Sequence, residues 1–263
     1  MKTGIIIQAR MSSTRLPGKV LLPLAGRPVI WHDVERCRQA AEADLVIVAT
    51  STEPSDDSLV AYLTEQKIPC WRGPLENVLA RYYGAAKHYE LEIIVRITAD
   101  CPLIEPTIID QSIKLLKNHL AEGVEYVSNI AYRIFPRGLD SEAFTFSTLA
   151  RAQTSTAIPL DLEAVTPYLM RTVKYWPQTV ADDWRGNERL TLDEPRDYEL
   201  LKQIYDHFYQ PNKIIDTRQV LDFLRKPSKL IATNQKVAQK HDNTDDALFR
   251  QNPHYIDIYR KSR

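Results

Sequence analysis

The stretch Ile5-Ile6-Ile7-Gln8-Ala9-Arg10-Met11-Ser12-Ser13-Thr14-Arg15-Leu16-Pro17-Gly18-Lys19 decides the fold. Its three consecutive isoleucines read as a strand of the buried kind, and that strand empties into a loop with two arginines, a lysine and three hydroxyl residues. In open α/β folds, the loop after a parallel strand lies at the carboxyl edge of the sheet, where ligands bind. Arg10 and Arg15 offer planar, forked donors to phosphate oxygens, and Lys19 adds a point charge. Pro17 fixes the turn and Gly18 lets the backbone approach a ligand. As a set these residues describe a triphosphate site, although any one of the cations taken alone fits a solvated basic loop equally well.

Two common phosphate-binding loops are disfavoured here. The Gly-x4-Gly-Lys-Ser/Thr spacing is missing, and so is Gly-x-Gly-x-x-Gly. Thr98-Ala99-Asp100-Cys101-Pro102-Leu103 follows a second apolar run, Ile93–Ile97, which puts Asp100 on the same sheet edge if the two strands are parallel. There the carboxylate either caps a turn or, with a hard cation such as Mg²⁺ between it and the phosphates, serves as a metal ligand. Asp193, in Arg189-Leu190-Thr191-Leu192-Asp193-Glu194-Pro195-Arg196-Asp197, suits a helix N-cap and is open to the same second role.

The 263 residues are 44% hydrophobic, enough for a large core without staples. Thirty-four basic residues balance thirty-four acidic ones, so global charge implies neither a nucleic-acid surface nor an anionic membrane. Cys37, Cys70 and Cys101 lack metal-type spacing and fit a reducing compartment. The first residues carry no signal-type apolar run, and the expectation is a cytoplasmic protein. The six histidines, His32, His88, His119, His207, His241 and His254, are dispersed and receive no chemistry. Ser12, Ser13 and Thr14 read as hydrogen-bond donors, since no base is placed to activate them.

Short apolar strands alternate with amphipathic segments in the first half, the pattern of βαβ units. Strands are expected at Ile5–Gln8, Leu45–Ala49 and Ile93–Ile97, and helices at Val29–Gln39, Ser58–Gln66 and Val78–Tyr89. The second half reads as strands at Val124–Ser128, Glu142–Phe146, Thr172–Trp176 and Arg189–Leu192. Helices are expected near Thr107–Asn118, Phe146–Ala152, Asp161–Arg171 and Pro195–Phe208. The division is a domain at 1–225, with a nucleotide half of about 1–120 and an acceptor half of about 121–225. Residues 226–263 form a polar C-terminal extension, read as a short helix plus a mobile tail.

The run from Ala9 to Lys19 resembles the Ala-Arg-x4-Arg-Leu-Pro-Gly-Lys signature of CMP-sugar synthetases for 3-deoxy-octulosonate and acylneuraminates. Arg72–Leu79, Phe135–Glu142, Val165–Tyr168 and the Thr191–Asp197 run extend the resemblance from about Ile5 to about Leu224, most closely to the spore coat polysaccharide branch of the cytidylyltransferase family. The resemblance implies an α/β, Rossmann-like nucleotide-diphospho-sugar transferase fold with a mixed, mostly parallel sheet flanked by helices. It implies an enzyme that transfers CMP from CTP to an acidic sugar, with pyrophosphate released. Ala9, Arg10, Arg15, Lys19, Glu76 and Asp100 would bind nucleotide, with Arg10, Arg15 and Lys19 serving catalysis. Asp100 and Asp193 would hold Mg²⁺. Base contacts would come from Ala9, the Ala49–Thr52 strand end and the Arg72–Asn77 loop. Arg137, Asp140 and Glu142 are the acceptor-side candidates, because a polar triplet in a Pro-Gly turn can address both an acid group and hydroxyls. A salt-bridged turn is the alternative for them.

Two departures from the branch pattern fall in the acceptor half. Glu163-Ala164 stands where an acidic residue and a histidine are usual, and Pro74 replaces a frequent serine. Relatives are commonly dimeric, and the region between Val124 and Trp176 could supply a homodimer interface. A glycosyltransferase using a nucleotide-sugar and a non-catalytic nucleotide-binding subunit are the competing readings. No Asp-x-Asp lies near a strand end to favour the first.

Overall fold

Alternation along the central strands sets the layers of the molecule. The computed structural model describes residues 1–131, 134–179, 184–186, 188–226, 234, 237 and 244–254. In chain order the elements begin with β1 (Thr3–Gln8), the hairpin β2 (Pro23–Leu24) and β3 (Arg27–Pro28), α1 (Val29–Cys37) and β4 (Leu45–Ser51). They continue with α2 (Asp57–Glu65), β5 (Cys70–Gly73), α3 (Val78–His88), β6 (Ile93–Thr98), α4 (Pro106–His119), β7 (Tyr126–Ser128) and β8 (Glu142–Thr145). The remainder is α5 (Phe146–Ser155), α6 (Pro159–Ala164), α7 (Pro167–Thr172), β9 (Tyr175–Pro177), α8 (Pro195–Phe208), α9 (Thr217–Arg225) and α10 (Thr244–Arg250).

The main sheet has the order β5-β4-β1-β6-β8-β7-β9. β4, β5 and β6 run parallel to β1, while β8 is antiparallel to both β6 and β7. Ile5 and Ile7 face one side with Val46, Val48, Val95 and Ile97, and against them pack Ile30 and Val34 of α1 and Ile109 and Ile113 of α4. Ile6 faces the other side with Ile47 and Ile94, beneath Leu79 and Tyr82 of α3, Leu149 of α5 and Leu169 of α7. A period of two thus feeds two helical layers. A third cluster joins Leu190 and Leu192 to Leu201 and Ile204 of α8 and Val220 and Leu221 of α9.

The chain leaves β1 toward β4 and β5, then crosses back to β6 on the other side of β1. That reversal opens a crevice at the carboxyl ends of β1 and β6. Two hydrogen bonds frame it: Ala9 N–H donates to Ala49 O (3.1 Å), and Ala99 N–H donates to Gln8 O (3.0 Å).

Several expected elements take a different form. Arg189–Leu192 is extended but, among the described residues, joins no strand ladder and makes one isolated bridge, Arg189 to Arg137. The single helix expected at Asp161–Arg171 is two, broken where Val165 adopts φ +70° and Pro167 starts the next turn. Thr172 ends α7 rather than starting a strand, and Phe146 starts α5 rather than ending β8. In the extension, α10 packs on the body, with Phe249 and Leu248 buried in the α3-side core. Asn252 Nδ2 donates to the carbonyls of Met170 and Val173 (both 2.8 Å), tying the segment after α10 to α7. Much of the extension, including His241, lies outside the described residues. Among the described residues no helix is long and apolar enough to cross a membrane.

Candidate active site

The loop after β1 is held in shape from below. Gly18 adopts φ +71° and its N–H donates to Met11 O (2.9 Å), closing the loop on itself. Met11 N–H donates to Asp56 Oδ1 (2.7 Å). The other Asp56 oxygen accepts from Thr50 Oγ1 and Ser51 N–H, so a buried carboxylate pins the loop to the end of β4. Burial alone would raise the Asp56 pKa, but these donors outweigh it and hold it below the usual carboxylate value. Reading the sequence did not single out Asp56; a carboxylate five residues past a buried strand end was the available signal.

Lys19 is the hub. Its Nζ donates to Asp100 Oδ2 (2.8 Å), Asp193 Oδ1 (3.1 Å) and Leu192 O (2.7 Å). Asp100 comes from the end of β6 and Asp193 from the segment before α8, so one ammonium draws together carboxylates 93 positions apart. Burial would lower the Lys19 pKa, yet the two carboxylates and their hydrogen bonds hold it above the ordinary value. Burial would raise Asp100, but Lys19 and the hydrogen bonds from Lys19, Thr98 and Cys101 bring it to about 2. Thr98 Oγ1 donates to Asp100 Oδ1 (2.6 Å). Asp33 on α1 lies behind this pair with neither carboxyl oxygen hydrogen-bonded among the described residues. Its burial, with the Asp100 charge added, pushes its pKa well up.

Asp193 is not the N-cap of α8; Glu194 occupies that position. Asp197 Oδ2 accepts from the N–H groups of both Asp193 and Glu194 (3.0 Å each). The Asp193 side chain is thereby left for Lys19, Arg15 (2.9 Å) and Arg189 (2.8 Å). Arg189 also pairs with Asp197 (2.9 Å), a tie that fixes the segment before the helix.

Two adjoining chambers flank this hub. The smaller, about 200 Å³, is lined by Ala9, Arg15, Lys19, Asp100 and Asp193, with Ser13 and Thr14 at its rim. The larger, about 280 Å³, is lined by Arg81, Arg96, Arg137, Asp140 and Glu142, and by Glu163 and Ala164 from the position that departs from the branch pattern. Gln8, Arg10 and Thr98 line both. Arg10 makes no hydrogen bond or ion pair among the described residues, so its guanidinium is available between the chambers. The structure therefore gathers nine of the ten residues singled out from sequence onto these walls. Glu76 is the exception: it is exposed in the loop before α3 and lines neither chamber.

Sequence reasoning missed Arg96 and Arg81. Arg96 pairs with Glu142, which also accepts from the Tyr126 hydroxyl, a buried tie between β6, β8 and β7. The signal for both was a charge at a buried position. Arg96 interrupts the apolar run of β6, and Arg81 falls on the inward stripe of α3 with Val78, Tyr82 and Ala85.

The donor set at the hub suits a hard divalent cation. It offers two carboxylates with oxygen ligands, brought together by one ammonium, beside cations suited to phosphate. Among the described residues no cluster of three or more His, Cys, Asp or Glu side chains forms an all-protein metal cage. A site of this kind would leave most ligand positions to substrate and water.

The sequence model of the cytidylyltransferase family matches residues 4–219. The chain is 33% identical over 209 residues to the spore coat polysaccharide biosynthesis protein SpsF of Bacillus subtilis, covering 76% of this chain and 85% of that one. It is 36% identical over 113 residues to the 3-deoxy-manno-octulosonate cytidylyltransferase of Geobacter metallireducens, 43% of this chain and 44% of that one. A solved cytidylyltransferase from Leptospira borgpetersenii superposes with a TM-score of 0.82 at 32% identity, over 91% of this chain and all of the other. With its nucleotidyltransferase sheet, its basic loop after β1 and its match over residues 4–219, the chain belongs to the cytidylyltransferase family.

Proposed function

We propose that the protein transfers CMP from CTP to an acidic sugar and releases pyrophosphate, in the assembly of a surface polysaccharide. The observation that carries this reading is the pair of chambers meeting at Gln8, Arg10 and Thr98: one cationic with an acid pair, the other lined by hydroxyl- and acid-recognising groups. A triphosphate in the smaller chamber would place its α-phosphorus near the junction and the acceptor in the larger one. Two relatives, a spore coat polysaccharide biosynthesis protein and a 3-deoxy-manno-octulosonate cytidylyltransferase, support this reading.

In this reading, an acceptor hydroxyl attacks the α-phosphorus in line and pyrophosphate leaves. Catalysis is mainly positioning and charge stabilisation. Arg15 and Lys19, today engaged with Asp193 and Asp100, gain phosphate oxygens as further partners, and Arg10 faces the reacting group from the junction. Asp100 and Asp193 would hold Mg²⁺, which neutralises phosphate charge and acidifies a coordinated hydroxyl when bound. Asp56 keeps the loop rigid, so its donors need no reorganisation as charge moves to the leaving group.

A thermal-shift panel of CTP, UTP, ATP, GTP and dTTP, with and without Mg²⁺, tests the nucleotide half, since a ligand bound only by the native state raises Tm. A CTP-selective shift strengthened by Mg²⁺ is expected, followed by pyrophosphate release when a sugar acid is added. A shift with nucleotide-sugars but not CTP would move the assignment to glycosyl transfer. CTP binding without turnover for any sugar acid would make the chain a binding subunit.

A further inference from the structure

Arg81 is a buried charge without a hydrogen-bond partner among the described residues. Its residue is wholly excluded from solvent, and none of Nε, Nη1 and Nη2 makes a hydrogen bond among the described residues. Burial lowers its pKa, and the carboxylate it feels, Asp56, already accepts from Met11, Thr50 and Ser51. Stranding a guanidinium in this way is costly, and side chains in such positions are retained where something else supplies the counter-charge.

The position is built rather than incidental. A Cβ on Gly73 would stand 3.1 Å from the Cα, Cβ and Cγ of Arg81, so the glycine ending β5 lets α3 approach closely at this residue. Two more buried polar atoms on the walls of the same chamber are unpartnered among the described residues: Gln8 Oε1, an acceptor, and Arg96 Nε, a donor. They come from β1 and β6, the strands flanking the crevice. Arg81 lines the larger chamber and not the smaller, so the missing anion belongs to the ligand of the larger one. The other charged groups on that chamber are Arg10 and Arg137, and the acids Asp140, Glu142 and Glu163, of which Glu142 is already tied to Arg96.

We propose that Arg81 is the residue that selects the acceptor, binding an anionic substituent of the sugar, a carboxylate or a phosphate, while Gln8 and Arg96 receive its neighbouring hydroxyls. The inference rests on the nucleotidyl-transfer reading only in calling this second ligand the acceptor.

The test is calorimetric titration of the full-length protein loaded with α,β-methylene-CTP and Mg²⁺. The probes are 3-deoxy-manno-octulosonate and N-acetylneuraminate for the carboxylate, N-acetylglucosamine 6-phosphate for the phosphate, and N-acetylmannosamine as the neutral control. At least one anionic sugar is expected to bind more tightly than the control. Arg81→Met should weaken that binding by about tenfold or more, the range of one lost charge-assisted hydrogen bond. Affinity for the CTP analogue should stay within about twofold, and Arg81→Lys, which keeps the charge, should recover part of the loss. The melting temperature of ligand-free Arg81→Met should equal or exceed that of the wild type, because the stem is kept and a stranded charge removed. A merely structural arginine predicts the reverse. A variant that melts lower or fails to fold, equal binding of the neutral sugar, no binding of any anionic sugar, or an equal loss of nucleotide affinity would each overturn the proposal. If the wild type does not bind the CTP analogue, nucleotidyl transfer fails separately, and the same sugars titrated without nucleotide decide the role of Arg81.

Discussion

One ammonium organises the catalytic end of the crevice, and the residues it gathers differ in how readable they were. Arg10, Arg15 and Lys19 stand within ten positions of one another on a loop whose strand announces itself, so local sequence is enough to propose them. Asp100 was readable as a strand-end carboxylate and the family resemblance paired it with Asp193, but its ion pair was not readable: nothing in the sequence says that Lys19 joins the two. With its pKa held down to about 2, Asp100 is ionised throughout the neutral range and is a permanent anion for Lys19 and, in the proposed function, for the metal. Asp100→Asn should lower Mg²⁺-dependent pyrophosphate release by on the order of 10²–10³, the size of effect seen when one preorganised charge partner is lost. Near-normal steady-state turnover in that variant would remove Asp100 from the metal site. His32 carries a second residue-scale prediction. Burial depresses its pKa from 6.5 to about 4, with Arg36 and Arg27 adding to the effect against the hydrogen bond its Nε2 makes to Leu24 O (2.8 Å). The unfolded chain therefore binds a proton at pH values where the folded chain does not. The His32 contribution to stability rises with pH from about 4 to 6.5 and is lost on acidification through that window, by roughly 3 kcal/mol, opposite in sign to the contribution of the buried Asp33. Urea unfolding of the wild type and of His32→Gln, which can still donate to Leu24 O but does not titrate, should differ by that slope, while the opposing Asp33 contribution is common to both.

Elements were legible where hydrophobic period and caps agreed, and illegible where tertiary contact replaced them. α8 could be bounded from sequence at Pro195 and Phe208 because proline fixes its first turn and five apolar residues follow at helical spacing. Arg189–Leu192 has the composition of a strand, yet its hydrogen bonds go to single neighbours. Leu190 N–H donates to Arg137 O (2.8 Å), Leu192 N–H donates to Asp100 O (2.8 Å), and Glu188 O accepts from Arg137 N–H (2.9 Å). The segment is a seam that joins the Phe135–Asp140 turn to the end of β6, and no periodicity encodes a seam. Gly138 makes the seam close. It holds φ +96°, and a Cβ there would stand 2.7 Å from the Leu190 carbonyl carbon, so both conformation and space demand glycine. Gly138→Ala should destabilise the fold by about 1–3 kcal/mol, the range for a strained backbone position, read as a lower denaturation midpoint. It should also displace Arg137 and Asp140 relative to Asp193. The expected kinetic outcome is a higher acceptor KM together with a lower kcat, since the turn reaches one chamber and the seam reaches the other. A stability loss with unchanged kinetics would confine Gly138 to folding.

At the scale of the whole molecule, the smaller chamber, proposed for phosphate, draws on the first hundred residues plus Asp193, whereas the larger, proposed for the acceptor, draws on β1, β6, α3, the Phe135–Glu142 turn, α6, α7 and Leu248 of α10. That asymmetry explains why the smaller chamber was the clearer one in sequence: its walls are nearly contiguous, and the larger chamber is assembled from distant pieces, one of them in the extension read from composition as a short helix plus a mobile tail. α10 is fixed by Phe249, fully buried between Tyr175 (ring centroids 4.8 Å apart) and Tyr126 (6.1 Å), and by Asn252 at the end of α7. Phe249→Ala should cost about 3–5 kcal/mol if the whole fold feels the cavity, and for a chain of this size a Tm lower by roughly 10 °C. α10 touches the body through α7 and, through Phe249, through β7 and β9 at one end of the sheet, so loosening it should act locally first. Leu248 then leaves the acceptor wall while Lys19, Asp100 and Asp193 keep their contacts. The expected signature is a rise in acceptor KM with CTP affinity changed by less than about twofold at a temperature well below the new Tm, a split that global destabilisation does not produce because it lowers the amount of active protein without altering either constant. Equal weakening of both ligands would mean that α10 supports the crevice as a whole, and no change in either would mean that Leu248 is replaceable as a wall.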